Sequence, residues 1–404
     1  MDGTTFTSQA EHYPPPTNAL AGRLQYLPWW GKIALLWLAL AIGLSLVMLA
    51  GTRVLDLREG YDPIISVPPD EWPGIWARWD SPYYVNIAMN GYPAVPYAVG
   101  YFPLYPLSVA AISEVTGWPL VTSGVVIAQI CFLVALLMFY RLARLIRDDH
   151  AFAMRAVVAM AVFPTSFFFL AMYAESMSLA FGVISVYFAL RARWAWSGLT
   201  LGLAAAARPV GWLLIIILLA EFIRRRRFDL RSLASLGAGM ALSISGIVIY
   251  VLYLYSIFGT FLAITQAQAL WLRHWAFPWE TLVKSIALVF TGSGVEGDWF
   301  LYAINIGDLL FTLFAIGMTV LAFRRLPRSL FVYLAASLLF LLAQQGLPES
   351  PMWGMTRWVA ALFPLFLVVA DVTGKKTVFR AGMAISTLLM VGLAAWWTSG
   401  RWVG

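Results

Sequence analysis

The chain has 404 residues, of which 61% are hydrophobic and only 12% charged, with a mean hydropathy of +0.78. Soluble globular domains carry about 25% charged residues, so the composition excludes that class and reads as an all-α polytopic membrane protein. The basic balance, 27 Lys+Arg against 20 Asp+Glu, lies in short runs between apolar segments; it reads as topology signals and not as a nucleic-acid surface.

A bilayer core of about 30 Å needs about 20 apolar residues per helix, and Lys/Arg mark the inner loops. The first 22 residues are polar with no apolar core before a small-residue cleavage site, so no signal peptide is expected and residues 1–32 read as an inner tail. Residues 33–397 read as one transmembrane catalytic domain. Ile33 to Gly51 is the first predicted span, and the acid-rich segment after it, with Asp56, Glu59, Asp62, Asp70, Glu71 and Asp80, belongs outside. This external loop, 52–120, ends in a predicted interfacial helix from Leu104 to Gly117. Val121 to Tyr140 returns to Arg141, Arg144 and Arg147, carrying the single cysteine, Cys131, which supports neither a disulfide framework nor a thiolate metal site. Phe152 to Tyr173 is predicted to go out, and Ser176 to Leu190 to come back to Arg191 and Arg193.

Ser197 to Phe222 is long enough for one span, yet it lies between two basic clusters, and a single crossing would put Arg224 to Arg227 outside. A broken pair of half-length helices turning near Arg208-Pro209 satisfies the charge rule, because proline lacks a backbone donor and disfavours helix just before it. Next come Leu233 to Phe258, an aromatic-rich loop from Trp271 to Trp279, then Trp299 to Phe323, Leu330 to Gly346, Trp358 to Ala370 and Val378 to Trp397, leaving an external tail at 398–404. Span length and charge together give about eleven crossings.

Common soluble chemistry is missing from the sequence: there is no Walker loop, HExxH pair, GxSxG elbow, Cys/His cluster or Asp-x-Asp pair. Instead, Asp80, Glu175, Arg208, Arg273, Asp308 and Arg357 fall at or near membrane depth, where ionisable groups are costly and raise a functional hypothesis. Asp80 also suits a helix cap ahead of Ser81-Pro82, and Glu175 suits a charge complementing a helix N-terminus. Arg208 lies far from the ends of its segment and cannot easily snorkel. His274, beside Arg273, reads more readily as structural or interfacial than as a base.

The ordered motifs carry a resemblance. Arg78-Trp79-Asp80-Ser81-x-x-Tyr84, Ile87-Ala88-x-x-Gly91-Tyr92, Tyr101-Phe102-Pro103-Leu104-Tyr105-Pro106, Phe163-Pro164-Thr165, Tyr173-x-Glu175-Ser176, Ala207-Arg208-Pro209-x-Gly211 and Trp353-x-x-x-Arg357-Trp358 resemble the PIG-V family. That family performs the second mannosyl transfer of GPI-anchor synthesis and has prokaryotic relatives. The short loops and N-terminal tail differ from the eukaryotic pattern, so a GPI precursor is not the expected acceptor. The resemblance implies a GT-C glycosyltransferase that takes a hexose, most simply mannose, from a polyprenyl- or dolichyl-phosphate donor and passes it with inversion to a lipid, glycan or protein hydroxyl. Asp80 is the expected base; Arg208 and Arg357 suit the phosphate. Arg78, Trp79, Tyr84, Tyr101, Tyr105, Glu175, Arg273 and His274 complete the expected substrate contacts. No metal or other cofactor is expected, and an accessory subunit is compatible with the superfamily. The expected location is a plasma (inner) membrane with the site on the outer face, or the endoplasmic reticulum if the source is eukaryotic. The competing class is a transporter or flippase of lipid-linked sugars, which also uses broken helices and buried arginines.

Overall fold

The computed structural model describes residues 27–56, 70–95, 98–226, 229–270, 272–292 and 294–403. Most of the expected inner tail, with His12, lies outside these residues, as do Glu59 and Asp62 of the acid-rich loop, Arg227, Trp271 and Gly404. The described residues are almost entirely helical. Helix α1 is Trp29–Val54, α2 Ser81–Asn90, α3 Leu104–Thr116 and α4 Leu120–Ile146. They are followed by α5 (His150–Ala161), α6 (Glu175–Leu190), α7 (Trp194–Ala207), α8 (Ile215–Arg225) and α9 (Leu230–Phe258). The C-terminal part holds α10 (Ala263–Leu270), α11 (Pro278–Thr291), α12 (Trp299–Arg325), α13 (Arg328–Leu342), α14 (Met355–Ala361), α15 (Pro364–Val372) and α16 (Lys376–Thr398). Two short strands, β1 (His274–Trp275) and β2 (Gln344–Gln345), pair antiparallel with His274 opposite Gln345.

Five of these helices, α1, α4, α9, α12 and α16, are long and apolar enough to cross a membrane, which makes this an integral membrane protein. A sixth span is available if α14 and α15 are counted together across their 81° bend. Three shorter apolar helices, α5, α6 and α13, lie beside them, and helix length alone does not establish the expected count of about eleven crossings. The largest departure is Phe152 to Tyr173, predicted as one span: α5 stops at Ala161, just before Phe163-Pro164, because proline cannot continue the helix. The chain then runs as a short 3-10 turn, Ser166–Phe169, and an irregular segment with Phe167, Phe168, Phe169 and Tyr173 all buried. Irregular backbone at membrane depth is tolerated where protein surrounds it. Trp358 to Ala370 is likewise broken at Phe363-Pro364. The Pro278–Thr291 helix was not expected.

The broken pair near Arg208-Pro209 is present. Helix α7 ends at Ala207, Arg208 is extended, and a 3-10 stretch, Pro209–Leu214, leads into α8. The Trp194 ring, at the start of α7, meets the Phe222 ring near the end of α8 at 5.3 Å, and Arg225 donates to the Leu190 carbonyl. Both ends of the pair thus lie together, at the C-terminal end of α6, and Arg208 sits at the tip of a re-entrant hairpin.

Without water inside a bilayer, helices associate by close packing, and small residues let backbones approach. Helices α7 and α9 cross on glycines: a Cβ at Gly198 would lie 2.0 Å from the Gly239 carbonyl oxygen, and one at Gly202 2.5 Å from that of Leu242. Gly198→Ala is expected to force these helices apart and destabilise the protein by about 1–3 kcal/mol, the usual cost of overpacking. Gly237→Ala, whose Cβ meets nothing within 4 Å, is the control. Thermal unfolding in detergent checks this, and equal midpoints for the two variants would refute it.

Candidate functional site

The Trp72–Asn90 stretch is built to hold one carboxylate in place. Its 3-10 turn, Gly74–Trp76, is pinned by the Trp76 indole donating to Ser45 Oγ (2.9 Å) and by the Met172 amide donating to the Trp76 carbonyl (2.9 Å). Arg78 is 1% exposed, and its guanidinium donates to the Gly74 and Thr398 carbonyls, so it fastens this loop to the end of α16. Trp79 adopts φ +55°, a left-handed conformation disfavoured for side-chain-bearing residues and found most often at functional sites. That turn delivers Asp80 to the N-terminus of α2. The Asp80 amide donates to Tyr173 Oη (3.3 Å), and Tyr173 Oη donates to the Arg78 carbonyl (3.0 Å).

Asp80 occupies the cap position of α2, yet its side chain makes no cap hydrogen bond. Its carboxylate turns toward the protein interior, where Arg357 Nη1 donates to Oδ2 at 2.5 Å and Tyr101 Oη to Oδ1 at 3.2 Å. Arg357 Nε lies 3.5 Å from Glu175 Oε1, and Arg208 pairs with that same oxygen. Asp80, Arg357, Glu175 and Arg208 therefore form a chain of alternating charge, brought together from α2, α14, α6 and the tip of the α7–α8 hairpin. Glu175 is the first residue of α6, so its charge also faces that helix's positive end. Side-chain exposure falls inward, from 19% at Arg208 and 17% at Asp80 to 8% at Arg357 and 2% at Glu175.

Aromatic rings frame this chain of charges. The Arg357 guanidinium lies over Phe168, Tyr173 and Trp402 at 5.6, 5.4 and 5.3 Å from their centroids. Tyr84 packs edge-on to Tyr101 and Tyr105, and its burial, followed by the Glu175 charge, raises its phenol above the ordinary range. Arg273 stacks over Trp358 at 4.4 Å and reaches the Trp353 carbonyl at 3.4 Å. Burial, then the neighbouring Arg357 charge, lowers the Arg273 guanidinium to about 10, and it joins no ion pair among the described residues. The two acids and two arginines of the quartet balance, and Arg273 adds one further positive charge.

A cavity of about 50 Å³ opens beside Glu175, Arg208 and Arg357, with Leu179, Leu214, Tyr333, Leu341 and Phe363 among its apolar walls. At about 10–15 Å³ of such volume per water it holds a few waters. No group of three His, Cys, Asp or Glu side chains that could hold a metal ion occurs among the described residues.

Of the expected contacts, Asp80, Tyr84, Tyr101, Glu175, Arg208, Arg273 and Arg357 are thus gathered in one place, with Trp79 beside them, 5.2 Å from Trp402. Tyr105 lies behind them, fully buried and donating to the Gly124 carbonyl. His274 sits exposed on β1, apart from the cluster. Sequence reasoning missed Trp402 and read residues 398–404 as a tail. In fact Trp402 and Val403 are buried and Arg401 donates to the Asp56 carbonyl, folding the segment back onto the site. Only the aromatic character of the final residues hinted at this.

Residues 72–270 match the family model described as Mannosyltransferase (PIG-V). Over this stretch, just under half of its length, the chain is similar to the PIG-V family. The matched stretch contains Asp80, Glu175 and Arg208 and ends before Arg273 and Arg357, whose place in the site rests on geometry. No curated protein sequence matches. Among solved structures, the chain is similar to an oligosaccharyltransferase of Archaeoglobus fulgidus. Against its complex with Zn and sulfate the TM-score is 0.44 at 15% identity, covering 89% of this chain and 53% of that one. Against its apo form the values are 0.46, 13%, 91% and 56%, and against its complex with an inhibitory peptide and a dolichol-phosphate 0.40, 15%, 92% and 56%. The chain spans little more than half the length of that enzyme.

Proposed function

We propose that this protein is a membrane glycosyltransferase of the GT-C type that moves a hexose from a polyprenyl- or dolichyl-phosphate donor to an acceptor hydroxyl, with inversion. The observation that carries the reading is a rim carboxylate, Asp80, coupled directly to buried arginines beside an apolar-walled cavity. Mannose follows from the family; the acceptor is a lipid, glycan or protein hydroxyl. In a single displacement, the acceptor oxygen attacks the anomeric carbon while Asp80 takes its proton, and the bond from that carbon to the phosphate oxygen breaks. The departing lipid phosphate gains charge, which Arg357 and Arg208 neutralise with planar guanidinium forks suited to phosphate oxygens. Arg273 supplies the surplus positive charge that favours an anion in the site, and the Glu175 carboxylate keeps both arginines aimed inward before the donor arrives. Tyr84 and Tyr101 orient Asp80 and the sugar.

The cluster lies at the end of the bundle away from Arg147, Arg325 and Asp371, which join in ion pairs at the C-terminal ends of α4, α12 and α15. By the positive-inside rule, that arrangement supports an outward-facing site in a plasma or endoplasmic reticulum membrane.

The test is transfer of radiolabelled mannose from polyprenyl-phosphate-mannose in proteoliposomes with candidate acceptors, following released polyprenyl phosphate and labelled product together. Both should appear in equal amounts. A donor that crosses the bilayer chemically unchanged would establish a flippase instead. Because the sequence lacks an Asp-x-Asp pair and the described residues gather no group of three metal-ligating side chains, activity is expected to survive EDTA. Loss that Mg²⁺ or Mn²⁺ restores would refute this.

A further inference from the structure

Asp308 lies on α12, fully buried, and none of the chemistry above uses it. An acid inside a span needs a partner, and here the partner is backbone: Oδ1 accepts from the Thr356 amide at 2.8 Å, while the amides of Gly354 and Met355 face the same carboxylate. These amides belong to the start of α14, which carries Arg357. Thr356 is held from two further directions. Its hydroxyl donates to the Val403 carbonyl at 3.0 Å, and its carbonyl accepts from Thr165 Oγ1 at 2.9 Å. Three separate segments thus converge on the residue preceding Arg357. The Asp308 helix is fixed in turn by Thr312, whose hydroxyl donates to the Asp308 carbonyl.

A helix as short as α14 has little stability of its own, since so few of its amides find intrahelical partners. Its direction, and with it the direction of the Arg357 guanidinium, is set by whatever holds its first turn. Oδ2 of Asp308 has no hydrogen-bond partner among the described residues, so the carboxylate is buried at a cost that a neutral apolar residue would avoid.

We propose that Asp308 is a positioning residue for Arg357: by accepting from the first amides of α14 it fixes the register in which Arg357 meets Asp80 and Glu175. The consequence for donor binding rests on the phosphate role proposed for Arg357. Two readouts separate the two ideas. In nanodiscs, amide exchange over residues 353–361 is expected to accelerate at least about tenfold in Asp308→Leu, because the hydrogen bond that protects Thr356 is lost, and to recover in Asp308→Asn, which keeps an acceptor oxygen. Unchanged exchange in Asp308→Leu, or an Asn variant that behaves like Leu, would overturn the assignment. In the transfer assay, Asp308→Leu is expected to raise the donor KM about tenfold, the lower end of what supporting residues contribute around metal sites, with a smaller change in acceptor KM. In an Arg357→Ala background the same substitution should have no further effect on donor KM; a full additional effect there would show that Asp308 does not act through Arg357. If Arg357→Ala itself leaves donor KM unchanged, the phosphate role of Arg357 fails, while the exchange experiment still decides the positioning role. Should Asp308→Leu fail to reach the membrane, Asp308→Ala, which removes the acceptor without adding bulk, carries both readouts.

Discussion

Asp80→Asn is expected to lower turnover by about 10² to 10⁴-fold, the range a positioned base contributes, while donor affinity changes little. The substitution keeps the size of the side chain and an oxygen able to accept from Tyr101, but removes the site for the proton. Folding should survive, because Arg357 still lies 3.5 Å from Glu175 and within the rings of Phe168, Tyr173 and Trp402. Single-turnover transfer together with donor binding to the same preparation separates the two quantities. A variant that turns over at the wild-type rate would remove Asp80 as the base. Loss of donor binding along with turnover would make Asp80 part of the donor site instead.

Arg357→Lys is expected to show the opposite split, with donor affinity reduced by about 10- to 150-fold, corresponding to the roughly 1.5–3 kcal/mol typical of a charge-assisted hydrogen bond. Lysine preserves the positive charge between Asp80 and Glu175, so the acids are not left uncompensated as they would be in an alanine variant. It cannot reproduce the guanidinium fork, which here meets a carboxylate oxygen through Nη1 and another through Nε. The measurement is donor binding by the purified protein, with thermal unfolding as the control for folding. Wild-type donor affinity in Arg357→Lys would exclude a geometric role for the fork.

Much of this site was legible in the sequence because its key residues break the local rules of a membrane span. Arg208, in an alanine run followed by proline, is placed where neither composition nor topology wants a charge, and Asp80 stands out from its acid-rich segment by the aromatic residues and ordered motif around it. The hairpin at Arg208 followed from the same conflict between span length and flanking arginines. The rest was hidden for physical reasons. Phe163-Pro164 ends α5 inside what reads as a continuous apolar stretch, and the irregular backbone beyond it is stable only because other helices surround it, which no local pattern reports. Arg78 and Tyr105 belong to the ordered motifs just as Asp80 does, yet they donate to backbone carbonyls; residue type cannot distinguish a side chain that supports a site from one that faces it. Trp402 joins the cluster through the folding back of the chain end, a contact between segments with no shared periodicity.

The re-entrant course of the α7–α8 hairpin also has a topological consequence. A segment that crossed the membrane once at this point would invert the orientation of every helix after it. Arg357, contributed from beyond residue 270, would then face the opposite leaflet from Asp80, and the two halves of the charged quartet could not meet. By returning to the side it came from, the hairpin preserves the parity of the chain path. An insertion or deletion that straightened it into a single traverse would do more than displace Arg208: it would divide the charged quartet between the two sides of the membrane.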